Sequence, residues 1–582
     1  MNVLFVVIGG FVVFGLASRY YGGWVARRVG IDPSNPTPAV RINDGQDYVP
    51  TRTSVVFAHH FSSIAGAGPI IGPTLAAIYG FVPAVMWVVL GGIFIGAVHD
   101  FTALFASMRE GGKSMAEIAH KSMGRAGFAL FLLFTIIMIV LITAVFLKLT
   151  ATALTSMWPL EKLQLDVSQT LLKTQVRDGT AMAQIGGIAS TSVIVVTALA
   201  PFMGYLFYRR RIRTSLAYVL GAILCSTSVY CGISFPIQIE PFTWMLIISV
   251  YVLFAAGAPV WLILQPRDFI NSQILYGGML LMLCSLVTGG FGGLSIRFPS
   301  FNLDGGLEHL GVIWPMMFIT IGCGAISGFH CLVSSGTTSK QCNGEQQAKR
   351  IGFDGMLLEC VLALFVLLAI GSALGFEDYR TVVWEEGNPV LGFALAAGRL
   401  VNDGFGFVPV ALGTVFGILM LEGFLVTTLD SAVRLNRYLF EELWDLIFEQ
   451  PPAFMRKYWF NAGLSVALMW VLASSNAATS IWPVFGSSNQ LLAALALLVV
   501  STWLLNRGTT PWFTLIPAAF MMATTLYSLV LLMQRHFPAG NYMLVAAECI
   551  LMLLALGVIG IALKTYARKR ALPASPATAG GD

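Results

Sequence analysis

Four of the seven histidines, His59, His60, His99 and His330, fall inside long apolar stretches, and Asp100 directly follows His99. Glu359, Glu422 and Asp430 lie in later apolar stretches. An ionisable group in such surroundings is costly and normally faces a water-filled space or a partner. Imidazole and carboxylate together can pass a proton near neutral pH. His60, His330, His99, Asp100 and Glu359 are therefore candidates for proton handling, with a buried, hydrogen-bonded structural role as the alternative. Asp430 stands one turn before Arg434, which predicts a helix-end ion pair rather than a relay. A metal site built from His59, His60, His99 and His330, with Cys331 nearby, is chemically conceivable. No HExxH-type spacing supports it, so no metal and no other cofactor is expected. Asn489-Gln490, after Gly486-Ser487-Ser488, either caps a late helix or lines a solute path, capping being favoured.

Two of the stretches that carry these groups are ill-suited to a continuous helix. The first, Phe57 to Pro73, places Gly66, Gly68, Pro69, Gly72 and Pro73 close together after Ser62 and Ser63. Proline removes a backbone donor and glycine weakens a helix, so the chain is expected to unwind over 62–69. The second, Gly322 to Lys340, is rich in small and hydroxylated residues, with Ser334, Ser335, Gly336, Thr337 and Thr338 clustered after His330. Its unwound part is expected at 334–338. Small residues also permit close helix packing. Two such stretches, each with histidine and clustered hydroxyls, favour a binding site. Unwound backbone at membrane depth is tolerated where it lines a cavity. Two broken helices entering from opposite faces are the arrangement of an inverted-repeat transporter, with half-helix N-termini turned toward an anion.

These elements sit in a chain made for lipid. Of 582 residues 57% are hydrophobic and 11% charged, against about 25% charged in soluble domains. Apolar runs of about 20 residues, the length that spans a bilayer, predict an all-α polytopic membrane protein of about fifteen spans, with up to eighteen possible. The expected spans are about 2–19, 54–80, 82–108, 127–157, 186–208, 214–233, 241–264, 270–290, 311–335, 353–374, 407–433, 458–475, 484–505, 511–533 and 541–563. With this threading most of the 34 Lys and Arg fall on one face, which the positive-inside rule makes cytoplasmic. The N-terminus is then periplasmic and the C-terminus cytoplasmic. Positive charge so placed is a topology signal, and no nucleic-acid partner is implied. The start lacks a basic n-region, so Val3 to Ala17 is expected to be a retained anchor. Ser114 to Met123 is expected as a short cytoplasmic surface helix and Val390 to Leu400 as an amphipathic stretch on the opposite surface. The expected divisions are an anchor and loop (1–53), a core with broken helices at about 54–80 and 311–340 (54–375), a second part of the core (376–506), C-terminal helices (507–570) and a disordered tail (571–582). The eight cysteines form no CxxC pair, and neither a Walker A nor a Rossmann signature is present. An enzyme is not expected, and transport would be driven by an ion gradient.

The run His60 to Pro73 resembles the signature of the carbon starvation protein A family. So do Gly96-Ala97-Val98-His99-Asp100-Phe101, Leu264-Gln265-Pro266-Arg267-Asp268, Gly324 to Lys340 and Gly355-Met356-Leu357-Leu358-Glu359. The resemblance covers roughly residues 1–570, with departures at His59, Cys331 and Cys342. It implies uptake of peptides or pyruvate, with protons, across the bacterial inner membrane during carbon starvation. It also implies a core of the amino acid/polyamine/organocation type with inverted repeats. The expectation is a proton symporter for pyruvate first and short peptides second. Ser62, Ser63, Gly66, Gly68, Ser334, Ser335, Gly336, Thr337 and Thr338 would hold the carboxylate, and His60, His330, His99, Asp100 and Glu359 would couple the proton. An uncoupled channel or receptor and a histidine-based metalloprotein are the rivals. The oligomeric state is left open.

Overall fold

The computed structural model describes residues 1–571 apart from 46–47, 167, 170, 211, 260–261 and 476–477. The expected tail, 571–582, lies almost wholly outside the described residues. Among those described, eleven helices are long and apolar enough to cross a membrane, or twelve with the bent pair Thr53–Ile64 and Gly68–Tyr79. Two shorter apolar helices, Pro241–Gly257 and Tyr458–Ser474, and a second broken pair, Ile313–Thr320 and Phe329–Gly336, occupy the other expected stretches. The chain is a multi-pass membrane protein.

The helices differ in how much of their surface other helices cover. Gln346–Ala373 and Ser480–Asn506 are each 94% buried over their most apolar window, whereas Val3–Val29 is 28% buried. The first group forms the core and the second presents apolar side chains such as Phe5, Ile8 and Phe11 outward, as a lipid-facing helix must.

The two broken spans cross at the centre. The first bends by 43° between Ile64 and Gly68. Pro69 opens the second half at a position where its missing N–H costs nothing. The spans run antiparallel, as three levels of contact show. A side-chain carbon on Gly72 would lie 2.7 Å from the Thr320 carbonyl, one on Gly68 would strike Cys323, and His60 bonds Thr338. Only glycine at 68 and 72 allows this approach.

Two local expectations change. In the second span the unwound stretch is 321–328, between Thr320 and Phe329, and not 334–338, which closes the helix Phe329–Gly336. The glycines at 322, 324 and 328 weaken the helix there, while Ser335 and Thr337 further on bond back to their own helix. Val390 to Leu400 is not on a surface. It belongs to Pro389–Phe405, whose residues 389–398 are all buried. This helix pairs closely with Val410–Ile447, where Gly398 meets Thr414 and Gly417 meets Ala394, so its small-residue face is covered by protein. Ser114 to Met123 is helical and opened by a reciprocal Ser114–Glu117 cap. It bends off the long helix at Gly124 (φ 79°), and Met115, Ile118 and Ala119 are buried.

The expected loop 158–185 carries a small antiparallel sheet of Trp158–Pro159, Thr174–Arg177 and Thr180–Ala183, with the last strand in the middle. Asp178-Gly179, both at positive φ, make its two-residue turn.

Candidate functional site

Three layers of polar groups stack along the crossing of the broken spans. At the level of the breaks lies a small cavity of about 20 Å3, room for about one water. Ser63, Gly66, Gly68, Cys323, Phe329 and Thr428 line it. The helices Gly68–Ala76 and Phe329–Gly336 both begin at this level, so both direct their positive ends toward it. The break in the second span is held by Asn489 and Gln490. Asn489 accepts from the Phe329 amide (2.9 Å) through its side chain and from the Gly328 amide (3.0 Å) through its carbonyl, and donates to Ser327 (3.0 Å). Gln490 donates to the carbonyls of Phe318 (2.7 Å) and Ile321 (3.0 Å). Capping is thus their observed work, on a helix other than their own.

The second layer centres on Asp100, which is fully buried on Ala97–Arg109. One of its oxygens bonds His99 Nδ1 at 2.7 Å and the other bonds His330 Nδ1 at 2.7 Å. An ionised carboxylate only accepts, so both rings then donate through Nδ1 and keep Nε2 for other work. His330 Nε2 lies 3.4 Å from Glu359 Oε2, outside hydrogen-bonding geometry. That nitrogen and both Glu359 oxygens have no hydrogen-bond partner among the described residues. Cys323 Sγ, His330 Nε2 and a Glu359 oxygen all lie within 4.8 Å of one another.

The third layer is His60, whose Nδ1 bonds Thr338 Oγ1 at 2.9 Å and whose Nε2 is buried with no hydrogen-bond partner among the described residues. Its ring faces Gly355, one turn before Glu359. His59 is only half buried.

The structure therefore brings His99, Asp100, His330 and Glu359 into one chain of contacts, while His60 bonds Thr338 separately. Of the expected hydroxyl groups, Ser62 and Ser63 donate to the carbonyls of Ala58 and His59, and Ser335 and Thr337 to those of Cys331 and Val333. Ser334 is buried, and its oxygen has no hydrogen-bond partner among the described residues. Ser63, Gly66 and Gly68 line the cavity, whereas Ser334 to Thr338 lie at the His60 level. Sequence reading did not single out Cys323 or Thr428, which reach the cavity from the second span and from Val410–Ile447.

Asp430 does not pair with Arg434. It bonds Arg267 (2.7 Å) and the Tyr251 hydroxyl (2.9 Å), and Arg267 also donates to Thr427 (2.8 Å). Arg434 instead donates to the carbonyls of Ala255 and Ala258, which a helix end leaves unpaired. Arg267 comes from another helix, so the ion pair joins two elements and sequence spacing is silent about it. Glu422 is buried, and neither of its oxygens has a hydrogen-bond partner among the described residues.

A broken-helix crossing with buried histidines and carboxylates beside a cavity has close sequence counterparts. The chain is 31% identical to "Peptide transporter CstA" of Bacillus subtilis (strain 168) over 98% of both chains. It is 28% identical to "Pyruvate/proton symporter BtsT" of Escherichia coli (strain K12), over 91% of this chain and 81% of that one. Among solved structures, the crystal structure of MhsT in complex with L-phenylalanine covers 89% of this chain and 99% of that one at 12% identity and a TM-score of 0.48, a likeness from which nothing is inferred. The family model described as carbon starvation protein CstA matches residues 2–382 and 373–528, and with this match spanning most of the sequence the chain belongs to the carbon starvation protein CstA family.

Proposed function

We propose that the protein is a proton-coupled symporter that imports a small carboxylate, pyruvate first and short peptides second, across the bacterial inner membrane. The observation that carries this reading is Asp100 gripping both His99 and His330, with Glu359 beside the far nitrogen of His330, at the crossing of two antiparallel broken helices. A buried imidazole between two carboxylates gives a proton several alternative seats a few ångströms apart. The adjoining cavity, with two helix N-termini aimed at it and the hydroxyls of Ser63 and Thr428 at its wall, suits a carboxylate. Gly66 and Gly68 keep side chains out of that space, while Ser62 bonds back to the Ala58 carbonyl. Ser334, Ser335, Gly336, Thr337 and Thr338 are assigned to the route past His60 rather than to the cavity. Relatives named for peptide transport and for pyruvate/proton symport support the same pair of substrates.

A cavity of one water is too small for pyruvate, so the state described is a closed one, and the spans must part for loading. Antiparallel broken spans suit an inverted-repeat core in which one bundle rocks against another. Fifteen passes, a periplasmic N-terminus and a cytoplasmic C-terminus complete the reading.

The test is uptake of radiolabelled pyruvate by proteoliposomes under an inward proton gradient. Accumulation above the external concentration, abolished by a protonophore and competed by short peptides, is expected. Equilibration without accumulation removes the coupling, and no entry at all removes pyruvate.

A further inference from the structure

Cys323, His330 and Glu359 come from three separate elements: the unwound 321–328 stretch, the helix after it and Asp354–Ala373. Nothing in their sequence spacing connects them. Their donor atoms nevertheless converge within 4.8 Å. We propose that these three side chains form a binding site for a divalent transition-metal ion, zinc first.

Four observations carry the proposal. The 3.4 Å between His330 Nε2 and Glu359 Oε2 is poor for a hydrogen bond, yet it is close to the roughly 3.3 Å that tetrahedral zinc imposes between N and O ligands each about 2.0 Å away. Only Cys323 has to move inward, and it sits on unwound backbone rather than mid-helix. His330 Nε2 and both Glu359 oxygens are buried with no hydrogen bond among the described residues, and buried polar atoms without partners are rare unless an ion or water serves them. Asp100 accepts from His330 Nδ1, the carboxylate–histidine support that fixes the tautomer and aims the Nε2 lone pair at a metal. Finally, Cys323 also lines the cavity, which leaves room for a water as fourth ligand.

The charges balance. A thiolate and a carboxylate neutralise a divalent ion, with imidazole neutral, and the thiol proton, together with any proton on Glu359, leaves to solvent. A set of one sulfur, one nitrogen and one oxygen suits zinc, or cobalt in its place, better than magnesium or calcium. The inference does not rest on the transport reading, because binding is measured with no substrate and no gradient.

The experiment uses the full chain purified in detergent, stripped with chelator and titrated with Zn2+ by calorimetry and with Co2+ by absorption spectroscopy. One saturable ion per chain, proton release on binding and a thiolate-to-cobalt charge-transfer band are expected. Cys323→Ser should abolish the band, and Glu359→Gln should weaken binding at least tenfold. Asp100→Asn should weaken binding about 10–100-fold with the band retained. Cys331→Ser and Cys360→Ser, at buried thiols outside the cluster, should leave band and affinity unchanged. Each variant is compared only when its elution profile and melting temperature match the parent. Absence of saturable binding by the parent overturns the proposal, as does a band that survives Cys323→Ser.

Discussion

A histidine held by a carboxylate at one nitrogen and facing a second carboxylate at the other can shift its proton without leaving its place. His330 has that setting, with Asp100 at Nδ1 and Glu359 near Nε2. Neutralising Glu359 as Glu359→Gln removes one seat for the proton while keeping the shape. The expected outcome is at least a tenfold fall in gradient-driven accumulation, about 1.4 kcal/mol of lost driving force. Exchange of labelled for unlabelled substrate, which needs no net proton movement, should persist. Gradient-driven accumulation that stays at the parent level in this variant would remove Glu359 from coupling. The histidines and acids were legible in the sequence because a titratable group in an apolar run stands out against its neighbours. Their partners were not: Asp100 meets a residue 230 positions away, and Cys323 reads as one more small residue between glycines until the fold brings it to His330. The misassigned Asp430 pair has the same cause, since the nearby Arg434 was visible and the distant Arg267 was not.

At the scale of elements, glycine and proline marked the first break correctly to within a few residues. In the second span, hydroxylated residues drew the expected break too far along the chain. Two of them, Ser335 and Thr337, satisfy backbone carbonyls of their own helix, which a sequence pattern cannot distinguish from lining a site. The crossing itself depends on bare backbone. Gly72→Val would place side-chain atoms against the Thr320 carbonyl, which lies 2.7 Å from even a first carbon. Overpacking of this kind costs about 1–3 kcal/mol. A lower melting temperature and a loss of uptake larger than that of Gly9→Val, at a position open to space, are expected. Equal behaviour of the two variants would argue against the close crossing. Outside the membrane, Asp378 ties the sheet-bearing loop to Pro389–Phe405 through Lys162 (3.2 Å) and Arg399 (2.8 Å). Partial burial pulls its carboxyl up, but hydrogen bonds and charge from Arg399 and Lys162 outweigh this and hold it below the ordinary range. A depressed carboxylate stabilises the fold above its unfolded value and loses that contribution as pH falls through its folded value. Amide exchange in Thr174–Ala183, corrected for intrinsic rates, should therefore be flat from pH 7 to 5 and rise below about pH 4. Asp378→Asn should raise it already at neutral pH. A profile that Asp378→Asn leaves unchanged would discard the tether.

For the whole molecule, the decisive quantity is the parity of the passes, and one helix controls it. Pro389–Phe405 is 17 residues long, about 25 Å at helical rise, nearly enough to cross. If it crosses, the faces assigned to everything after it exchange. Its contacts argue that it does not. Asn388, at its start, donates to Ser156 just beyond the end of Met115–Leu154 (3.0 Å). Gly404, at its other end, packs on Ser285 in the last two turns of Leu264–Phe291. In the threading both of those helices run outward, so both ends of Pro389–Phe405 are held near the outer side and the helix lies within the protein there. In the proposed fifteen-pass threading nine passes then separate the loop at Ser168 from the loop at Thr510, which would place the two on opposite faces. With the exposed Cys284 replaced by serine, Ser168→Cys should react with a membrane-impermeant maleimide on intact cells. Thr510→Cys, beside the basic Arg507, should react only after permeabilisation. Labelling of both from outside would make Pro389–Phe405 a tenth crossing between them and would invert the assignment of every later loop, including the C-terminus. The reverse pattern, Thr510→Cys alone labelled, would keep the nine passes but invert every loop, and so break the positive-inside assignment on which the periplasmic N-terminus stands.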